Sequence, residues 1–210
     1  MKPVVLQLID SFHQGGSERQ ALQLTRLLIE SGRYDVRLAC LNPDGVLREE
    51  IRDLPLGDIP AFPLTAFYNA NALSQMRRFV SWLRTNNVRL LHTHDFYTNV
   101  FGMFGGVLAR VPVRIASMRE THNMRTAAQK RLQRTAYGFA THIVGNSNSV
   151  RQELLRQGIS GKKISVIYNG LDTARVSVPA TRRRAESFAT LGLGDSNHRF
   201  VTLVANLGMK

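Results

Sequence analysis

The sequence predicts an α/β fold, a doubly wound and mostly parallel sheet with helices on both faces. Three observations predict it. Short apolar, β-branched runs without a helical period recur along the chain, as strands buried on both faces do. Stretches with apolar residues three and four positions apart separate them, at the spacing of crossover helices. Polar clusters follow the runs, and in an open parallel sheet ligands bind outside the carboxyl ends of the strands.

Val4 to Ile9 opens the chain as a strand. "HQGGSERQ" follows it, and the pattern predicts a helix capped by Ser17 and running to about Ser31. Ala21, Leu24 and Leu28 share one face of that helix, Arg19, Gln23, Arg26 and Glu30 the other, and Gly32 ends it. Val36 to Leu41 is the next strand; Pro43, Asp44 and Gly45 make a turn, with a short helix over 46–54 and a short strand near 59–62 after it. Leu73, Met76, Val80 and Leu83 mark a helix over 71–85, and 88–92 is a strand. A helix over 98–109 follows, in which Gly102, Gly105 and Gly106 permit close packing. Strands are expected at 113–118, 142–144 and 164–167, with helices at 124–138 and 149–157 between them. Beyond residue 172 the stretch TARVSVPAT has no period and reads as a linker, with a short helix near 182–191 and a strand near 200–205. That organisation predicts one domain over 1–172, a linker or hinge region over 173–199, and over 200–210 the first strand of a second, truncated domain.

Composition bounds the function more weakly. The 210 residues are 43% hydrophobic and 20% charged, an ordinary globular mixture. Cys40 is the single cysteine, which excludes an internal disulfide framework and suits a reducing compartment. The apolar run at the start is too short for a secretory leader, and no stretch approaches the roughly 18 apolar residues of a membrane span. Lys and Arg number 28 against 15 Asp and Glu, a net charge of +13. Such a surplus draws a protein toward nucleic acid, acidic lipid or phosphate-bearing substrates without choosing among them.

Polar clusters at the expected strand ends define a candidate cleft. Gly15, Gly16, Ser17 and Glu18 follow the first strand, and His92, Thr93, His94 and Asp95 the strand near residue 90. Arg119, Glu120, Thr121 and His122 follow the strand near 115; Asn146 to Ser149 and Asn169 to Asp172 follow the last two. The paired glycines read either as a tight turn needing positive φ or as a loop that a bulky anion approaches closely. They do not form the Gly-x-Gly-x-x-Gly dinucleotide fingerprint. His92 and His94 invite a metal reading, with His122 or His142 as a third ligand, but the further acidic ligands such a site needs are absent. Arg119 and Glu120 read as an ion pair or as a grip on a hydroxylated or anionic group. The basic helix carrying Arg125, Lys130, Arg131 and Arg134 reads as a solvated face or as an attraction to a membrane surface.

Four stretches carry a resemblance to a known family: "FHQGGSERQALQLTRLLIESGRYDVRLACL", "LLHTHDFYTNVFG", "HIVGNSNSVRQELLRQGI" and "ISVIYNGLD". In this order and spacing they resemble the Rossmann-like N-terminal domain of a GT-B glycosyltransferase of retaining family 4. "VTLVANLGMK" is similar to the first strand of that family's second domain. The resemblance implies sugar transfer, with retention, from a nucleoside-diphosphate sugar to a glycan, lipid-linked or small-molecule acceptor, as in polysaccharide biosynthesis. It implies no metal and no cofactor beyond the sugar-nucleotide co-substrate. Its candidate donor- and substrate-binding residues are Gly15, Gly16, Glu18, His94, Asp95, Arg119, Glu120, His122, Asn146, Asn169 and Gly170, with no catalytic residue assigned. Arg119 stands where many members have a histidine, so that histidine's role is not carried over. The family's acidic pair of the second domain has no counterpart in the 210 residues, so the chain on its own is expected to be inactive. The expected setting is cytoplasmic, with peripheral contact at the inner face of an anionic membrane and no nucleic-acid partner. An anion- or nucleic-acid-binding module, and a metallohydrolase resting on His92 and His94, are the alternatives.

Overall fold

The computed structural model describes residues 2–65, 69–119, 125–171, 173 and 188–192. Six strands form one parallel sheet in the order β2-β1-β3-β4-β5-β6. They are β1 Val4–Ile9, β2 Asp35–Cys40, β3 Val88–Thr93, β4 Val113–Met118, β5 His142–Gly145 and β6 Ile164–Val166. The helices between them are α1 Gly16–Glu30, α2 Ala70–Thr85, α3 Phe96–Leu108, α4 Ala127–Phe139 and α5 Asn148–Arg156. The order reverses at β1, where β2 lies to one side and β3 to the other, and this is the switch point at which such sheets open a crevice.

Each sheet face has its own core, and the strand period of two assigns residues to them. Ile9, Leu38 and Cys40 pack against Ala21 and Leu22 of α1 and against Leu47 and Ile51 of a 3-10 helix over Val46–Ile51. Leu6, Leu8, Leu91, Ala116 and Ile143 point the other way, onto Phe79 of α2, Met103 of α3, Ala136 and Tyr137 of α4 and Leu154 of α5. Right-handed crossovers explain this division. The chain moves one way along the sheet from β1 to β2 and the opposite way thereafter.

Glycines set how closely these layers approach. A Cβ on Gly102 would stand 2.5 Å from Thr93 Cγ2 of β3, and one on Gly106 would stand 3.1 Å from Leu91 Cδ2. Gly105 serves a different contact, because its Cβ would lie 2.5 Å from the Phe79 ring of α2.

Two expectations are corrected. Ser17 does not cap α1. Gly15 occupies the cap position with extended backbone, and no side chain accepts a hydrogen bond there. The segment near 59–62 contributes one isolated bridge, Ala61 to Cys40, because Phe62 turns away into the core beside Phe79. The chain divides into units Met1–Gly170 and Leu171–Lys210, and in the second, 188–190 form a helical turn closed by Leu191 N–H to Phe188 C=O at 3.2 Å. The strand expected at 200–205 lies outside the described residues, as does most of the helix expected at 182–191.

Gly105→Ala is expected to cost about 1–3 kcal/mol by overpacking the buried Phe79 ring. Gly138→Ala, in α4 with nothing within 4 Å of the added methyl, should stabilise by roughly 0.5–1 kcal/mol. Urea unfolding of both variants checks the pair. Equal stabilities would mean that the α2–α3 contact is looser than described.

Candidate functional site

The sheet's carboxyl edge holds a cleft of about 210 Å³ lined by Asp10, Glu18, His94, Asp95, Arg119 and Arg125, among others. Its residues arrive from the ends of β1, β3 and β4, from the first turns of α1 and α3, and from Arg125 before α4 and Gln133 and Tyr137 within it. Their convergence follows from the parallel order.

At the β1 exit the two glycines behave differently from a positive-φ turn. Gly15 is extended, with φ −133, and Gly16 begins the helix; neither is among the residues of positive φ. The Glu18 carboxylate folds over Gly15, where a Cβ would meet Oε2 at 2.0 Å. A Cβ on Gly16 would meet nothing within 4 Å. The other four helices are capped by a side chain, α2 by Asn69, α3 by Asp95, α4 by Thr126 and α5 by Ser147. Gly15 offers α1 no side-chain cap, and the first turn with the positive end of the helix dipole lies at the cleft beside the Glu18 carboxylate.

The β3 exit supplies the buried floor. His92 and His94 stack with ring centroids 4.2 Å apart. His92 Nε2 meets Ser117 Oγ at 2.8 Å, and His94 Nε2 meets Gln7 Oε1 at 2.7 Å. Burial drives the His92 ring down to about 3 and His94 well below its ordinary value, and the Arg119 charge adds to both. Both rings are therefore neutral. With Gln7 accepting from Nε2, His94 keeps a bare lone pair on Nδ1, a buried atom with no partner among the described residues. Asp95 accepts from the Thr98 backbone N–H at 2.9 Å as part of a capping box. Burial nevertheless pushes its carboxyl up to about 7, with Asp10 and Glu18 adding to the rise and the Thr98 hydrogen bonds opposing it. Asp10 is raised by burial in the same way.

Arg119 joins the remaining loops. Its Nη1 donates to Asn169 Oδ1 at 2.8 Å, its carbonyl accepts from Asn146 Nδ2 at 3.2 Å, and its buried Nε has no partner among the described residues. Burial lowers its pKa, opposed by the nearby Glu18 charge. Gln20 of α1 clamps Gly170 from both sides, donating to its carbonyl at 2.7 Å and accepting from its N–H at 2.9 Å. Across the cleft, the Arg125 guanidinium lies 4.5 Å from the Phe96 ring centroid and donates to Gln133 at 2.8 Å.

Of the expected site residues, Glu18, His94, Asp95 and Arg119 line the cleft. Gly15 and Gly16 are not among its lining residues and directly precede Ser17, which is, while Asn146, Asn169 and Gly170 hold Arg119 and α1 from outside. Glu120 and His122 lie outside the described residues. Sequence reasoning missed Asp10, which directly follows β1 and satisfies the same strand-end criterion as the others. It also missed Gln7, inside an apolar strand, and Gln133 and Tyr137, buried in a helix read only for its basic residues. Among the described residues no group of three or more His, Cys, Asp or Glu is placed to hold a metal ion.

The sequence model of Glycosyltransferase Family 4 matches residues 14–175. The chain belongs to glycosyltransferase family 4. Solved structures of similar fold include Anabaena HepE in complex with UDP, at 16% identity and TM-score 0.70 over 91% of this chain and 50% of that one. A glycosyltransferase from Rickettsia africae aligns at 17% identity and TM-score 0.71 over 93% and 51%. A UDP-N-acetylglucosamine 2-epimerase from Rickettsia bellii shares the fold at 8% identity and TM-score 0.58, over 91% and 48%. The family 4 chain thus spans about half the length of these structures, and its architecture is the Rossmann-like half of a GT-B fold. No curated protein matches it.

The buried titratable groups give the family 4 chain a definite acid response. Unfolded histidines take up protons below about 6.5, whereas folded His92 waits until about 3 and His94 also stays neutral. Each therefore removes stability as pH falls through that window. Asp95 acts in the opposite sense between the ordinary carboxyl value of 3.8 and about 7, because its folded form holds the proton. Folded His92, neutral down to about 3, therefore takes up to about 1.4 kcal/mol of stability per pH unit below about 6.5, a loss that Asp95 and Asp10 oppose. Unfolding free energies of the parent and of His92→Gln across that range should differ in slope by about that amount, the parent losing more stability on acidification. Equal slopes in the two proteins would contradict a buried, neutral His92.

Proposed function

We propose that the chain forms the acceptor-side half of a glycosyltransferase that moves a sugar, with retention, from a nucleoside-diphosphate sugar to a glycan, lipid-linked or small-molecule acceptor. One observation carries the reading. α1 has no side-chain cap at Gly15, Ser17 and Glu18 of its first turn line the cleft, and open space surrounds the position of a Gly16 Cβ. A helix N-terminus of this kind binds phosphate through its N–H groups and its dipole. The epimerase neighbour shows that the fold alone does not select the reaction; the family match favours transfer.

In this reading the amides of Gly16 and Ser17 take the donor's diphosphate, and Arg119 supplies the positive charge that stabilises it as it leaves. Preorganised donors in a site that excludes water are worth more than the same donors in water. That arrangement assigns the stabilisation to amides and a guanidinium and asks for no dedicated metal. The carboxyls of Asp10 and Asp95 and the bare Nδ1 of His94 accept hydrogen bonds from sugar hydroxyls. Phe96 and Tyr97 provide the apolar surface on which a sugar ring packs. UDP is bound by the Anabaena HepE structure, and a uridine nucleotide is the first donor to test here. No helix among the described residues is long and apolar enough to cross a membrane. The proposed setting is cytoplasmic, with peripheral contact at an anionic membrane.

In the intact enzyme, Gly16→Val should lower kcat/KM for the nucleotide sugar at least tenfold, about 1.4 kcal/mol, by closing the approach path. The unfolding midpoint should stay close to that of the parent, because the added side chain meets open space. Unchanged transfer, or a stability loss large enough to explain the lost activity, would return the glycines to being a turn.

A further inference from the structure

We infer that the outer face of α2, α3 and α4 is a docking surface for an anionic lipid bilayer. The inference gives a place to the peripheral contact proposed above, and rests on that reading.

The charge of the chain is not evenly spread. Residues 69–141 hold eleven Lys and Arg against two acidic residues, Asp95 and Glu120, so this third of the chain carries +9 of the total +13. None of the three helices contains an acidic residue, while α2 contributes Arg77, Arg78 and Arg84 and α4 contributes Lys130, Arg131 and Arg134. A surface patterned for solvent alone mixes both signs. By contrast, α1 and the 3-10 helix on the opposite face pair their charges, Arg19 with Glu50 and Arg26 with Asp53.

An apolar groove of about 400 Å³ runs between these helices, lined by Leu73 and Met76 of α2, Phe101, Phe104 and Leu108 of α3, and Leu132 of α4. Leu73 and Leu108 are each 54% exposed, and Val107 beside them is also exposed. Arg77 follows Leu73 by one helical turn, Arg131 adjoins Leu132, and Arg84 donates to the Leu108 carbonyl at 2.6 Å at the groove's end. Long cationic side chains around exposed leucines suit an interface where apolar groups enter the acyl boundary and the charges stay at headgroup level. Nucleic acid would use the charge and leave the groove unfilled, since stacking aromatic side chains are not what the groove exposes.

The test is flotation of the 210-residue protein with vesicles of phosphatidylcholine alone and of phosphatidylcholine with an equal part of phosphatidylglycerol. Binding to the mixed vesicles and none to the neutral ones is expected. Arg77→Gln with Arg131→Gln should weaken it about twentyfold, since each charge near an anionic surface is worth about fivefold in affinity. Leu73→Gln with Leu108→Gln should weaken it at least tenfold without lowering the melting temperature, because both side chains are exposed. Arg33→Gln with Arg52→Gln, outside this face, should leave it unchanged. Absence of binding to the mixed vesicles would overturn the peripheral contact itself. Binding lost with the Arg33 and Arg52 pair but kept without Leu73 and Leu108 would keep the contact and overturn this surface. An oligonucleotide that displaces the vesicles at equal concentration would assign the face to nucleic acid instead.

Discussion

Parallel pairing from β2 to β6 forces every strand to leave the sheet at the same edge, and the cleft exists because of that constraint. Asp10, His94, Asp95 and Arg119 come from three strands up to 109 positions apart in sequence, yet no long loop is needed to gather them. The strand order reverses at β1, so α1 is separated from the face that carries α2 to α5 and its N-terminus opens beside the crevice. A one-residue register slip in β3 would exchange His92 and Leu91 between faces and lose both the floor of the site and a core side chain.

The site itself combines two electrostatic environments. Burial keeps His92 and His94 of its floor neutral and raises the Asp95 carboxyl to about 7, while its rim carries Arg119, Arg125 and the N-terminus of α1 beside the Glu18 carboxylate. In the proposed reading the floor takes hydroxyl hydrogen bonds and the cationic rim takes phosphate. That pairing fits a sugar joined to a diphosphate better than it fits either group alone. The network from Gln20 through Gly170 and Asn169 to Arg119 ties the rim to the end of the first unit, so the guanidinium is held from two directions.

Most of the architecture was legible because helix and strand periods differ and the chain keeps them distinct. All six strands and five helices stand within a few residues of where their patterns place them. The errors have physical causes. Ser17 looks like a cap, yet the helix starts at Gly16 and its cap position falls on Gly15, two residues earlier. The run at 59–62 looks like a strand, but Phe62 is drawn into the aromatic cluster with Phe79 and Phe101. Site residues at strand ends were readable from position. Gln7 was not, because a polar residue in the middle of an apolar strand reveals its partner only when β1 and β3 are side by side.

The central claim, that the open N-terminus of α1 receives the phosphates of a nucleotide sugar, is tested most directly by amide NMR of the intact enzyme titrated with a UDP-sugar. The account predicts saturable shifts at the backbone amides of Gly16, Ser17 and Glu18 and at the Arg119 side chain, while the amides of α5 stay still. Saturable binding that leaves the first turn of α1 unmoved would contradict it.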